Sequence, residues 1–243
     1  MVQRVAGPRI TVVWYHLASY SKIPPAGNIL EIAPGFGRWT QFLKDTCESL
    51  TAVDLNQQCV DACRERFRDN PKVKCYSNDG KSLEMVPDNS LDFVFSFDSL
   101  VHVESDVIQS YLSQLSRKMK KDAVAFVHHS NIGYYRNYFR WVRGIPLLRI
   151  FLRQFGYETR LHDRGVSVSA HKFTGWADDA GLCCMRQEWI NWASPLLIDC
   201  FSTFTKQGSA WECENRVVKN DLFMNEARCI AQRASLYPRR HAA

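Results

Sequence analysis

Hydrophobic residues in this chain gather in short runs that end in acids or turns. The runs at Asn28–Ile32 and Leu50-Thr51-Ala52-Val53-Asp54 read as buried strands, and residues 73–76, 91–97 and 123–129 as a short third, a fourth and a fifth strand. Stretches of helical period separate them. One follows Gly37, with Trp39, Phe42 and Leu43 as its apolar positions. Another covers residues 57–67, and a third covers Ser105–Lys118, with Ser105 and Asp106 as N-cap signals. Strand and helix alternating in this way predict a doubly wound α/β sheet with helices on both faces. Later in the chain the pattern predicts a helix over 167–180 that stops at Gly181, paired strands over 182–192 and 197–206, and a last helix over 220–237. Residues 1–26 read as a helix packed over the same sheet, closing with Pro24-Pro25.

The chemistry concentrates where the first strand runs into Ala33-Pro34-Gly35-Phe36-Gly37-Arg38-Trp39. In an open α/β sheet a cofactor lies beyond the carboxyl ends of the strands. A dinucleotide loop requires G-x-G-x-x-G, and counting from Ala33 its third glycine position is Arg38. A P-loop requires Gly-Lys-Ser/Thr, which this turn lacks. Asp54 closes the second strand one βα unit later, where a carboxylate can accept both hydroxyls of a ribose. The pairing indicates a nucleoside cofactor without choosing its kind.

The remaining pattern, acid-x-small-x-Gly-x-Gly, resembles the first motif of class I S-adenosylmethionine (SAM) methyltransferases. The run from Leu91 to Glu104 resembles that family's fourth motif. The resemblance implies a Rossmann-like, seven-stranded, mostly parallel sheet in a single domain over residues 1–243. It also implies SAM as cofactor and S-adenosylhomocysteine as product. The cofactor contacts it implies come from Glu31, Ala33, Gly35, Gly37, Trp39, Asp54, Asn56, Asp79, Gly80, Phe97 and Asp98. Ala33 stands where the family has its first glycine. Alanine does not take positive φ cheaply, so ordinary dihedrals are expected there. For Asp79, a plain Asx-turn competes with a role at the adenine.

Residues 133–165 change character. Aromatic residues (among them Tyr134, Tyr138, Trp141 and Phe151) alternate with Arg136, Arg140, Arg143, Arg149, Arg153, Arg160 and Arg164. The stretch is long for a connection in an α/β fold and is expected to form an acceptor-binding lid inserted after the fifth strand. Aromatic faces and arginine forks suit a sugar with an anionic group. Contact with a membrane surface or a homodimer interface are open alternatives. A nucleic-acid partner is not expected, because no recognisable binding motif backs the arginines. The wording around Gln187–Trp192 and Asp199–Ser202 is similar to bacterial sugar and polysaccharide O-methyltransferases. A small aromatic or lipid-like metabolite, methylated on O, N or C, is the competing acceptor.

Three histidines fall at carboxyl ends of central strands: His102 past the fourth, and His128 and His129 on the fifth. A hydroxyl acceptor needs a base for its proton, and histidine suits that task near neutral pH. Strand alternation lets only one of the adjacent pair face the pocket; His129, nearer the loop mouth, is the first candidate and His102 its partner or substitute. Asp98, Glu104 and Asp106 supply acids near the fourth strand, but His128-His129 stand where an acid would be wanted after the fifth, so a divalent metal is not expected. Nine cysteines without C-x-x-C spacing read as reduced thiols. No apolar run nears the ~20 residues of a bilayer span, and the start shows no secretory pattern, so the expected location is the cytoplasm. The net charge of +6 is too mild to select a partner.

Overall fold

The structure, a computed structural model, describes residues 27–143, 164–192 and 194–235. The expected helix over 1–26 and most of the expected lid lie outside these residues. Five strands, β1 (Asn28–Ile32), β2 (Ser49–Asp54), β3 (Val73–Ser77), β4 (Leu91–Ser96) and β5 (Met119–Ser130), pair in parallel. β6 (Leu182–Ile190) and β7 (Asp199–Lys206) form an antiparallel pair, and β7 runs antiparallel to β5. An eighth strand, β8 (Arg216–Asn220), lies parallel to β6 at the sheet edge. The order is β3-β2-β1-β4-β5-β7-β6-β8.

The sheet therefore has eight strands, not the expected seven. The last helix also starts later than expected, because Asn220 ends β8. Arg-Val-Val-Lys-Asn carries neither strand alternation nor a buried face, so its pattern does not announce a strand. Its register against Arg186 to Ile190 comes from β6, and Arg216 and Lys219 place charges on the exposed edge.

Helices α1 (Thr40–Leu43), α2 (Gln57–Arg66) and α6 (Phe223–Ser235) cover one face. Helices α3 (Ser105–Lys118) and α5 (Ala170–Asp179) cover the other, while α4 (Arg136–Arg143) follows β5. The two-residue period of β4 shows the division. Phe93 and Phe95 enter the first core with Trp39, Phe126 and Phe201, and Val94 enters the second with Leu112 and Phe204. Phe95 stacks on Phe126 at 5.9 Å, and Phe126 meets Phe201 at 5.4 Å, so aromatic packing links β4, β5 and β7. Burying one such ring contributes about 2–3 kcal/mol. Ser105 opens α3, but Glu104 occupies the N-cap position without capping it; its side chain is used elsewhere.

The described residues on either side of 144–163 are tied to the rest of the fold. The Gly133 N–H donates to the Val168 carbonyl at 2.8 Å, and the Gly165 N–H donates to that of Val101 at 2.9 Å. Both glycines are needed for close approach: a Cβ on Gly133 would lie 2.5 Å from the Val168 oxygen, and one on Gly165 would collide with the Val103 carbonyl. The Glu104 carboxylate accepts from the N–H groups of Val166 (3.1 Å) and Ser167 (2.9 Å) and from the Ser167 hydroxyl. α4 rests on its own small core of Ile132, Phe139 and Ile198.

Candidate active site

The turn after β1 is fastened from two sides. The Ala33 N–H donates to the Val53 carbonyl at 2.7 Å, and Ser99 Oγ donates to the Ala33 carbonyl at 3.1 Å. These ties hold Ala33 at φ 57°, against the expectation of ordinary dihedrals. Left-handed backbone costs a residue with a Cβ roughly 1–2 kcal/mol, a strain that surrounding bonds must sustain. Gly35 and Gly37 also have positive φ, of 56° and 76°. Their surroundings differ. A Cβ on Gly37 would lie 2.6 Å from the Phe67 ring, so glycine there lets the turn pack on α2. A Cβ on Gly35 would meet nothing within 4 Å, so its backbone faces open space. That open, glycine-lined turn is a cradle a cofactor can approach closely.

Asp54 stands behind the cradle and is 8% exposed. Its Oδ2 accepts the Gly35 N–H at 3.0 Å and its Oδ1 accepts the Asn56 N–H at 2.9 Å. The carboxylate thus fixes the turn and keeps lone pairs for a diol. Asn56 caps α2 through its side chain, which accepts from the Gln58 N–H at 2.9 Å. Asp79 forms the tight turn that competed with an adenine role: its Oδ1 takes the N–H groups of Lys81 (2.9 Å) and Ser82 (2.7 Å), and these bonds hold its carboxyl below the usual range. Gly80 adopts φ 82° in the same turn, facing Leu55. Trp39 and Phe97 are buried together beneath the loop, their rings 5.0 Å apart. Asp98 sits at φ 60°, with its carboxylate 3.8 Å from Arg38.

Leu55 and Phe36 are 64% and 66% exposed at the rim of this corner. Sequence reasoning passed over both. The only signal was an apolar residue placed just after each landmark, the acid Asp54 and the glycine Gly35.

Glu31 lies beneath the turn, 2% exposed, and accepts from Thr40 Oγ1 at 2.6 Å. Burial pushes its carboxyl up to about 8, against the opposing pull of the Thr40 bond. The folded protein therefore holds a proton here that the unfolded chain releases near 4.5. The contribution is fully present below 4.5, declines as pH rises through the folded value, and is level above about 8. Glu31→Gln, which mimics the protonated acid, is expected to flatten that decline in urea titrations across the window. An unchanged slope would place the titration elsewhere.

The histidines separate. His129 is fully buried, stacked on Phe173 at 4.2 Å. Its Nδ1 bonds the Ser130 carbonyl and its Nε2 bonds Ser202 Oγ, each at 2.8 Å. Burial lowers it to about 4. His128 is equally buried on the opposite face, among Phe97, Trp192 and Phe201. Its Nδ1 accepts the Asp98 N–H at 3.2 Å, which leaves the proton on Nε2, 3.4 Å from Asp199 Oδ2. Asp199 is wholly buried and receives a two-point bond from Arg164, Nε to Oδ1 at 2.8 Å and an Nη to Oδ2 at 2.9 Å. A chain of contacts thus runs from Arg164, through β7 and β5, to the loop beside the cradle. His102 alone of the three is exposed, in a 3₁₀ turn (Leu100–His102) next to Ser99.

The acids near β4 are engaged apart from one another: Asp98 faces Arg38, Glu104 holds 166–167, and Asp106 pairs with Lys81 at 2.6 Å. Among the described residues no group of three or more His, Cys, Asp or Glu is placed to hold a metal. All nine cysteines are free thiols, with Cys213 and Cys229 exposed. No helix among the described residues is long and apolar enough to cross a membrane.

This fold is a mostly parallel, Rossmann-like α/β sheet with an open glycine turn at its carboxyl edge. Residues 29–122 match the family described as a methyltransferase domain. The chain superposes on the PH0226 protein of Pyrococcus horikoshii OT3 with a TM-score of 0.58 at 17% identity, covering 82% of this chain and 90% of that one. It superposes on an S-adenosylmethionine-dependent methyltransferase from Clostridium acetobutylicum ATCC 824 with a TM-score of 0.57 at 13% identity, over 81% and 89% of the two chains. In sequence it is 38% identical over 63 residues to ribosomal RNA small subunit methyltransferase A of Geobacter metallireducens, 26% of this chain and 23% of that protein. The chain spans about a quarter of the length of the curated relatives it matches. The Gly35 cradle with Asp54 behind it fits SAM, the molecule on which the Clostridium acetobutylicum neighbour depends.

Asp54→Ala is expected to weaken SAM binding roughly a hundredfold, through loss of the charged acceptor for the ribose and of the bond that holds Gly35. Calorimetry giving wild-type affinity in a folded variant would remove Asp54 from the site.

Proposed function

We propose that this chain transfers the methyl of SAM to a hydroxyl of a sugar, or of a polysaccharide or glycolipid precursor. The observation that carries the transfer reading is the open Gly35 turn braced by Asp54. SAM, when bound, supplies a methyl on a sulfonium leaving group. The protein's part is to hold the acceptor in line, keep water away and take the proton.

We assign acceptor binding to the insertion at 133–165. Its described part supports this: Tyr134 and Trp141 are 54% and 65% exposed, beside exposed Arg136 and Arg140. Rings pack on sugar faces, and guanidinium groups hold an anionic substituent. The same exposed aromatics favour, as the second reading, a small aromatic or lipid-like acceptor. The match to ribosomal RNA methyltransferases covers only 63 residues and carries no acceptor.

The proton acceptor in this reading is His102. His129, first candidate from the sequence, has both nitrogens bonded in the core, and His128 faces Asp98 and Asp199. His102 is exposed on the loop that Ser99 fastens to the glycine turn.

Incubation with labelled SAM and a panel of mono- and disaccharides, glycolipids and small phenols tests the proposal. Label in a saccharide or glycolipid is the expected result. Label in the phenols alone would establish the second reading, and SAM binding without any transfer would refute catalysis.

A further inference from the structure

We propose that His128 is a positioning residue for the cofactor corner: its Nδ1 sets the backbone of Asp98, and Asp199, held by Arg164, sets His128. The inference rests on the SAM reading of that corner. It gives a task to buried polar groups that neither the cradle nor the proton acceptor uses.

The β4–β5 ladder ends where Ser96 pairs with Val127. Two residues on, the Asp98 N–H finds its acceptor in a side chain, His128 Nδ1 at 3.2 Å. Asp98 has φ 60°, in the left-handed region that a residue with a Cβ keeps only where its surroundings hold it. Ser99 carries the hold onward. Its Oγ donates to the Ala33 carbonyl at 3.1 Å, and Ala33 is itself left-handed, at φ 57°. Two strained positions, just past the ends of the paired strands β1 and β4, are therefore joined through Ser99. The imidazole is the side chain that fixes the β4 end of this link.

Histidine suits the place because one ring nitrogen accepts while the other carries the proton. In the reversed tautomer, an Nδ1–H would face the Asp98 N–H, donor against donor. Asp199 selects between the two: its Oδ2 lies 3.4 Å from Nε2 and favours the proton there. Across β5 and β7, His128 opposes Phe201 and Ser130 opposes Asp199, so strand alternation puts the His128 and Asp199 side chains on one face. The two-point bond from Arg164 then fixes the carboxylate. Phe97, Trp192 and Phe201 close around the imidazole, with ring centroids 4.9, 5.3 and 4.8 Å away, and leave it no exposed surface. A His–Asp pair that merely filled the core would have no need of a bond to a left-handed residue at the cofactor corner.

Two substitutions separate positioning from packing. An asparagine amide reaches the place of Nδ1, and a glutamine amide reaches the place of Nε2. His128→Asn therefore keeps an acceptor for the Asp98 N–H, whereas His128→Gln keeps only the group that faces Asp199. By calorimetry, His128→Asn should bind SAM within about twofold of wild type and His128→Gln roughly tenfold more weakly. Hydrogen exchange of the Asp98 amide should stay slow in wild type and in the asparagine variant and become fast in the glutamine variant. Thermal midpoints report whether the variants are folded. Folded variants that lose affinity and amide protection alike, or lose neither, overturn the proposal. Should either variant fail to fold, the wild type decides: nitrogen-15 spectra should show the His128 proton on Nε2 and a coupling across the hydrogen bond from the Asp98 amide to Nδ1. A proton on Nδ1 overturns the proposal. A wild type that binds no SAM refutes the cofactor reading, and exchange of the Asp98 amide still decides whether His128 holds the turn.

Discussion

Replacing Asp199 by alanine is expected to lower the unfolding free energy by about 3–5 kcal/mol, the cost of stranding charge in the interior. Asp199 has no exposed surface, and two groups depend on it: Arg164, bonded at 2.8 and 2.9 Å, and His128, 3.4 Å away. The alanine variant would leave a guanidinium with only 12% side-chain exposure facing a cavity. It would also remove the group that faces the His128 Nε2 proton. Asp199→Asn keeps the shape and one acceptor but loses the negative charge, so its loss should be smaller. Urea unfolding of both variants decides the matter; an alanine variant within 1 kcal/mol of wild type would show that the pair is compensated by solvent.

His102→Ala is expected to cut kcat by about 10²–10⁴ while SAM affinity stays put. A sugar hydroxyl is a poor nucleophile while protonated, and its proton becomes far more acidic as the new bond to carbon forms. An imidazole that takes this proton must reach the acceptor, and of the three histidines His102 is the exposed one. Loss of the acidic limb of the pH–rate profile should accompany the fall. His129→Asn gives the contrast: it disturbs the Ser202 and Ser130 bonds and is expected to cost stability before it costs turnover. Near-wild-type kcat in His102→Ala would end the histidine-base reading and point to an acceptor that is already nucleophilic, such as an amine, carboxylate or phenolate.

The sheet was legible where burial on both faces leaves its mark. β1, β2, β4 and β5 are apolar runs punctuated by Glu31, Asp54 and Asp98, and α3 spans the residues its pattern indicates. Asp54 could be read from its place at a strand end. Features set by distant partners could not. The backbone of Ala33 is decided by Val53 and Ser99, which outweigh alanine's own preference. β8 exists because β6 offers it an edge, and its five residues carry no alternation of their own. Alternation correctly puts His128 and His129 on opposite faces, but the sealing of both comes from β7, α5 and the aromatic residues around them. Asp199 gave a faint signal, an acid inside Leu197-Ile198-Asp199-Cys200, and its partner lies 35 residues away.

The tie between Gly133 and Val168 has a consequence for how such a protein can change over time. The chain leaves and returns through a closed neck, fastened by 133 to 168, by Glu104 to 166–167 and by Arg164 to Asp199. The neck is made by described residues on either side of 144–163. Lengthening a loop whose ends are already held costs little, about 0.6 kcal/mol for each doubling. If the stretch binds the acceptor as proposed, substitutions, insertions or a transplanted segment there are expected to redirect the acceptor while the glycine turn and its Asp54 brace stay as they are.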